Sequence, residues 1–379
     1  MEMTQIAQIV NETTAQVTGT EAIADVDLNK IVDAGAAVLD TDKIDHYVQS
    51  LIDRIGKVVF VNRPYTGGTP SVMRDSWEYG AILEKIQYEG LPEAEDNDTW
   101  ELEDRRSYDP NIFYKPTVSA KFFSERRTFD IPMSFAQRQV KSAFTSAGQV
   151  QALFSMIETA ISNGMTVKMD SLVEATLNNF IATTYGNGTA SARVVLLLTE
   201  YAAFTGQTAP SAANALADPE FVRFMVFRMK RKMVQMQKLS TVFNVGGKYR
   251  HTPTDRLHVV LHADAAAAAD VYLQSDTFHN EFVALPNSDK VAFWQGSGTG
   301  FAWSDTSKII VTPRGEDSPV TINNIVGVMF DHDALGVSNL DRRVTTNWNP
   351  KGEFTNNWYK FDAGYFNDFN ENGVVFVLA

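Results

Sequence analysis

The most constraining feature of this chain is a stretch that cannot pack on itself. Between Trp77 and Phe129 two aromatic-rich, β-favouring runs flank an acidic centre, LPEAEDNDTWELED from Leu91 to Asp104, which carries Glu93, Glu95, Asp96, Asp98, Glu101, Glu103 and Asp104. Strand-favouring residues suit a pleated, half-buried surface, yet the centre has too little apolar surface to build a core. The pattern predicts a long two-stranded hairpin protruding from the body. Such a hairpin is marginal in water by itself, so it must be held from outside, and a neighbouring subunit is the first candidate. Arg105, Arg106, Arg126 and Arg127, on or near its strands, offer charges complementary to the acidic centre that can fix register between neighbours. Exposed pairs are worth at most about 1 kcal/mol each, so strength has to come from repetition and apolar burial.

The rest of the chain supplies the body. Of its 379 residues 44% are hydrophobic, enough for a real core. Residues 21 to 55 show helical spacing at Ile31, Val32, Ala36 and Val38, then at Ile44, Val48, Leu51, Ile52 and Ile55, and Asp40 to Asp42 divide the two helices. Val58 to Val61 reads as a short strand that ends in a loop at Pro64, Gly67, Gly68 and Pro70. Gly148 to Tyr185 is the strongest helical signal, with Val150, Leu153, Phe154, Ile157 and Ile161 on one stripe and Leu172, Thr176, Leu177, Phe180 and Ile181 on the next. Asn163 and Gly164 predict a pause between them, with Asp170 or Ser171 capping the second part. Arg193 to Leu198 reads as a buried strand or a short core helix, Asp218 and Pro219 open a helix from about Glu220 to Leu239, and Leu257 to His262 is a strand leading into an alanine-rich helix, Ala263 to Leu273. β signals dominate from Lys290 onward. With no βαβ alternation and no repeat, the class is α+β.

Candidate chemistry is sparse. Without cysteine there is no disulfide framework, thiolate metal site or cysteine nucleophile, as suits a reducing cytoplasm. The start lacks a basic leader and apolar run, which predicts no secretion signal, and no apolar stretch is long enough to span a bilayer. The net charge of −13 disfavours wrapping around phosphates. His258 and His262 have zinc-helix spacing, but on a strand they stand well over 10 Å apart, too far for one ion. Asp331, His332 and Asp333 could suggest a metal or a base; adjacent strand residues diverge, so a turn is the better reading. Gly296, Gly298 and Gly300 lack the spacing and context of a phosphate cradle and read as a hairpin loop. In FVRFMVFRMKRKMVQMQKL the basic stems of Arg223, Arg228, Lys230, Arg231, Lys232 and Lys238 beside Met225, Met229, Met233 and Met236 fit an amphipathic core helix better than a nucleic-acid face. No G-x-S-x-G elbow occurs. These residues predict no catalytic group, cofactor or metal.

The C-terminal sixth, GVMFDHDALGVSN from Gly327 and TTNWNPKGEFTNNWYKFDAGYFNDFNENGVVFVLA from Thr345, resembles the end of the major capsid proteins of tailed bacteriophages, especially small short-tailed ones. The element order is similar to the Hong Kong 97-like fold along nearly the whole chain. That resemblance implies an N-terminal arm with helices over 1–58, the start of a peripheral domain over 59–76, an extended loop over 77–130, and the peripheral domain with its spine helix over 131–190. An apical domain over 191–320 and returning peripheral strands with a final apical strand over 321–379 complete the implied scheme. It further implies a non-catalytic shell subunit of the virion, assembled in the host bacterial cytoplasm into pentamers and hexamers. A separate scaffolding protein and a portal are implied partners; DNA is enclosed without sequence-specific binding, and no membrane is involved. The expected subunit contacts are Trp77, Glu93, Glu95, Asp96, Glu101, Arg105, Arg106, Arg126 and Arg127. One relative cross-links its loop to a neighbour through lysine and asparagine, but nothing in the spacing of Lys85, Lys115 and Lys121 or of Asn347 and Asn356 singles out a pair. The alternatives are a cytosolic α+β enzyme, such as a hydrolase with a metal at Asp331 to Asp333, and another virion part such as a portal or tail protein.

Overall fold

The computed structural model describes residues 3–19, 46–51, 54, 69–74, 83–88, 100–108, 111, 113–274, 287–295, 300–313 and 316–379. Several expectations fall outside them: the first of the two helices within 21–55, Ile44, Ile52 and Ile55 of the second, the strand at 58–61, Pro64, Gly67 and Gly68, and Gly296 and Gly298. Described residues of the second N-terminal helix, 46–51, are helical, with Val48 and Leu51 buried.

The backbone of the body is one 39-residue helix, which by order of numbering is α3, Ala147–Tyr185. It follows α1, Met3–Thr18, and α2, Gln137–Ala143. At about 1.5 Å per residue it is nearly 60 Å long. Val150, Phe154, Ile157, Ile161, Met165, Met169, Leu172, Val173, Leu177, Phe180 and Ile181 are all buried, a helical repeat that runs straight through the predicted pause. The pause and its cap at Asp170 or Ser171 are therefore corrected: Ser146 Oγ caps the only start, accepting from Gln149 N at 3.4 Å, and the helix stops at Gly186, whose φ is +55°. Gly164 serves close packing: a Cβ there would lie 3.0 Å from Ile131 Cδ1.

A three-stranded antiparallel sheet lies along α3 in the order β10 (Leu335–Asn349), β11 (Phe354–Asn367), β3 (Arg126–Ala136). Thr355, Asn357, Tyr359, Phe361 and Ala363 alternate inward along β11, the period-two pattern of a sheet with one covered face. α1 joins the same core through Ile6, Ile9 and Val10. The aromatic-rich run after the acidic centre turns out to be two strands. β2, Val118–Phe123, pairs with β1, Leu83–Tyr88, whereas β3 pairs with β11 from Gly364↔Arg126 to Phe354↔Ala136. The hairpin is thus β1 and β2 alone.

A mixed five-stranded sheet forms the second layer, in the order β4 (Val194–Leu196), β12 (Gly373–Val377), β9 (Ile325–Asp331), β5 (Leu257–His262), β6 (Ser288–Val291). Both readings of Arg193 to Leu198 hold in part, since β4 passes at once into α4, Leu197–Thr205. Asp218 caps α5, Pro219–Met236, as expected, accepting from Glu220 N at 3.0 Å. The apolar face of α5, with Phe221, Val222, Met225 and Met229, joins α6, Ala263–Gln274, in a second core over this sheet. Lys232 donates to Ala192 O at 3.1 Å, so the core-helix reading of the basic segment holds. β7 (Ile309–Val311) and β8 (Val320–Ile322) form a separate small ladder. The α+β class stands.

Candidate intersubunit surface

Alternation divides the hairpin into two faces. Lys85, Gln87, Lys121 and Phe123 face the body, and Phe123 packs on Phe366 with ring centroids 5.2 Å apart. Ile86, Val118 and Phe122 face outward and are 72%, 59% and 62% exposed. Beyond the strands Trp100 is 98% exposed, and Leu102, Phe113 and Tyr114 are exposed as well. Scattered single apolar residues are ordinary on a surface; several exposed on one hairpin and the segment beyond its strands make a candidate interaction surface. Burying each such side chain would contribute roughly 1.5–3 kcal/mol.

Around these side chains lie exposed charges. Arg105 Nε is 3.7 Å from Asp104 Oδ2, and Arg106 Nη1 is 3.7 Å from Glu103 Oε2. Arg105 has a left-handed φ of +68°, and Glu103 N donates to Tyr108 Oη at 3.2 Å. Of the expected contact residues, Glu101, Arg105 and Arg106 share this exposed segment. Arg126 and Arg127 are exposed at the start of β3 instead, where the Arg127 guanidinium lies 5.9 Å from the Phe129 ring centroid. Trp77, Glu93, Glu95 and Asp96 lie outside the described residues.

The root of the hairpin is held by groups that sequence reasoning did not join. Asp368, with no solvent exposure, accepts from Lys85 Nζ at 2.8 Å and Gln87 Nε2 at 3.2 Å through Oδ2, and from Lys121 Nζ at 3.0 Å and Asn370 N at 3.2 Å through Oδ1. Burial alone would push this carboxyl up, but the two lysines outweigh it and hold the pKa below the usual carboxylate range. Lys85 also donates to Asp333 O at 3.0 Å and to Glu371 Oε1 at 3.2 Å. Arg250 Nε closes the group 3.2 Å from Glu371 Oε2. Asp368 stands in the turn between β11 and β12, where the two sheets meet. There Asp331 N donates to Asn372 O and Gly373 N to Phe243 O, and the Phe369 ring stacks on Phe180 of α3. The only sequence signal was a lysine at a matching inward position on each strand.

The candidate chemical groups resolve as structure. Asp331, His332 and Asp333 end β9 in a turn: Asp331 Oδ1 accepts from Asp333 N at 2.9 Å, its Oδ2 accepts from Thr252 Oγ1 at 2.8 Å, and Asp333 pairs with Arg256. His258 lies 3.1 Å from His332, Nε2 to Nδ1, and burial together with Arg74 lowers its pKa to about 4. His262 is buried edge-on to Trp303 with centroids 4.8 Å apart. Among the described residues no group of three or more His, Cys, Asp or Glu could hold a metal ion, and no helix is long and apolar enough to cross a membrane.

A family model described as Phi29-like phage major capsid protein matches residues 6–377. Among solved structures, a chain of the capsid of Staphylococcus phage Andhra is similar with a TM-score of 0.54 at 9% identity, over 84% of this chain and 86% of that one. A chain from the structure of head fiber and inner core protein gp22 of native bacteriophage P68 is similar with a TM-score of 0.52 at 11% identity, over 81% and 83%. At such identities the likeness is one of fold. No curated protein matches the chain.

Proposed function

Because the chain belongs to the Phi29-like phage major capsid protein family, a structural component of the virion shell, we propose that its hairpin is the arm by which one subunit holds the next. The Hong Kong 97-like architecture and the non-enzymatic shell role go with that membership, and a shell of many subunits requires extended contacts between copies. The observation that carries the reading is the run of exposed apolar side chains from Ile86 through Trp100, Phe113 and Tyr114 to Phe122, on a protrusion with no core of its own. Around it Glu101, Arg105 and Arg106 set register by charge, and Arg126 and Arg127 add positive charge at the start of β3; Trp77, Glu93, Glu95 and Asp96 remain expected contacts from the sequence alone. Pairs this exposed add specificity more than strength.

The finer reading joins this physics to what the family resemblance implies. Head-to-tail contacts that close at slightly different bends give rings of five and six. A separate scaffolding protein and a portal guide assembly in the host cytoplasm, and the net charge of −13 lets the wall enclose DNA without gripping it. The extended loop ends with β2 at Phe123, short of the expected boundary at 130, because β3 from Arg126 belongs to the peripheral sheet along α3; the apical part is built on the five-stranded sheet.

Deletion of Glu93 to Asp104 tests this. The expected product is a soluble subunit that forms no closed shells under electron microscopy with its scaffold. Normal particles would refute the assignment of the arm.

A further inference from the structure

Lys85 and Lys121 are direct partners across the β1–β2 ladder. Like charges placed opposite each other destabilise an antiparallel pair, so the hairpin carries a repulsion at its root that it cannot relieve by itself. The relief comes from outside. One buried carboxylate, Asp368, takes both ammonium groups, one on each oxygen, and Gln87 on the next inward position of β1 binds the same group. Two strands clamped to one carboxylate are fixed in position, and the further contacts of Lys85 with Asp333 O and Glu371 and of Phe123 with Phe366 turn that anchor into a fixed tilt. The point itself is rigid: Asp368 N donates to Ala334 O at 2.6 Å, and the turn is bonded to the end of β9 and to Phe243 and stacked on α3.

We infer that Asp368 is a positioning residue, the latch that sets the direction in which the hairpin leaves the subunit and with it the angle at which neighbours join. This rests on the reading of the hairpin as the intersubunit arm. A tether at the junction of both sheets ties the direction of the arm to the subunit body, so closure of the shell depends on a contact made wholly within one subunit.

The test uses the unassembled full-length chain and the variants D368N, K121M and K121R. Lys121 is 39% exposed at its side chain, so K121M removes one leg of the clamp without opening the core. Hydrogen exchange in 83–88 and 118–123 should accelerate by about tenfold or more in D368N and K121M, in keeping with loss of charge-assisted hydrogen bonds. Exchange in α3 and β11 should hold, and K121R should keep the hairpin protected. Co-expressed with scaffold, K121M should give a broadened mixture of particle sizes and open sheets where K121R gives uniform shells. Unchanged hairpin exchange in K121M overturns the latch, as does faster exchange accompanied by uniform normal shells. Failure of the arm reading itself shows differently, as normal shells from the deletion of Glu93 to Asp104, in which the latch is intact.

Discussion

Replacing Gly164 by alanine, alone and together with Ile131→Val, weighs the two forces that meet at the middle of α3. Alanine is favoured over glycine inside a helix by about 1 kcal/mol. Against that, the new Cβ would stand 3.0 Å from Ile131 Cδ1, with Cγ1 at 3.4 Å and Cγ2 at 3.5 Å. Overpacking costs about 1–3 kcal/mol, and the low end applies because Ile131 is only half-buried and the clashing atom is the tip of its side chain. G164A alone should therefore change stability little. Ile131→Val removes Cδ1 and leaves ordinary contacts, at a cost of about 0.5–1.5 kcal/mol. In that background G164A should recover the full helical gain, a coupling of about 1 kcal/mol in the double-mutant cycle. Native-state hydrogen exchange at amides 160–168 reads it locally, as roughly fivefold slower exchange than in I131V alone. An equal response to G164A in both backgrounds would show that Ile131 is not what keeps glycine there.

Gly373→Ala is the contrasting case, because its Cβ would lie 2.5 Å from Cζ and 2.7 Å from Cε1 of Phe180, a ring buried to 1% exposure. It should destabilise the subunit by about 3 kcal/mol or more, seen as a lower urea midpoint; a parental midpoint would contradict the packing described. Removing the α5 cap with D218A should weaken the first turn by about 1 kcal/mol, and exchange at Glu220 to Phe224 that stays at the parental rate would speak against the cap. Glu174 has its pKa raised to about 7 by burial and by Asp170. The folded state holds this proton more tightly than the unfolded one, so stability falls as pH rises from near 4.5 through 7. E174Q should melt above the parent at pH 8 and with it near pH 4; equal melting at both would dismiss the shift.

The hairpin was legible because its pattern is local: two strand-favouring runs around a centre that cannot pack. Its far boundary was not, since β2 and β3 are nearly continuous in sequence and equally strand-favouring. That β3 leaves the hairpin to pair with β11 depends on a partner more than 200 residues away along the chain. Likewise α3 was evident from its 3.6-residue stripe, while the pause at Asn163 and Gly164 was a local propensity overruled by packing against β3. Asp331, His332 and Asp333 were legible as a turn, which draws Asp331 and Asp333 together on Arg256, whereas the approach of His258 to His332 depends on the pairing of β5 with β9.

What the sequence by itself determined is everything set by period and composition: the α+β class, the long helix, the capped start of α5 and a hairpin with exposed apolar side chains. Only tertiary structure decided that Lys85, Lys121 and Asp368 meet, that β9 lies between β5 and β12, and that Gly164 marks a contact and not a break. The reason is one of range. Periodicity and capping act over a few residues and leave their mark in any window of the chain, whereas ion pairing and close approach depend on distances in space between segments whose separation along the chain carries no trace of them.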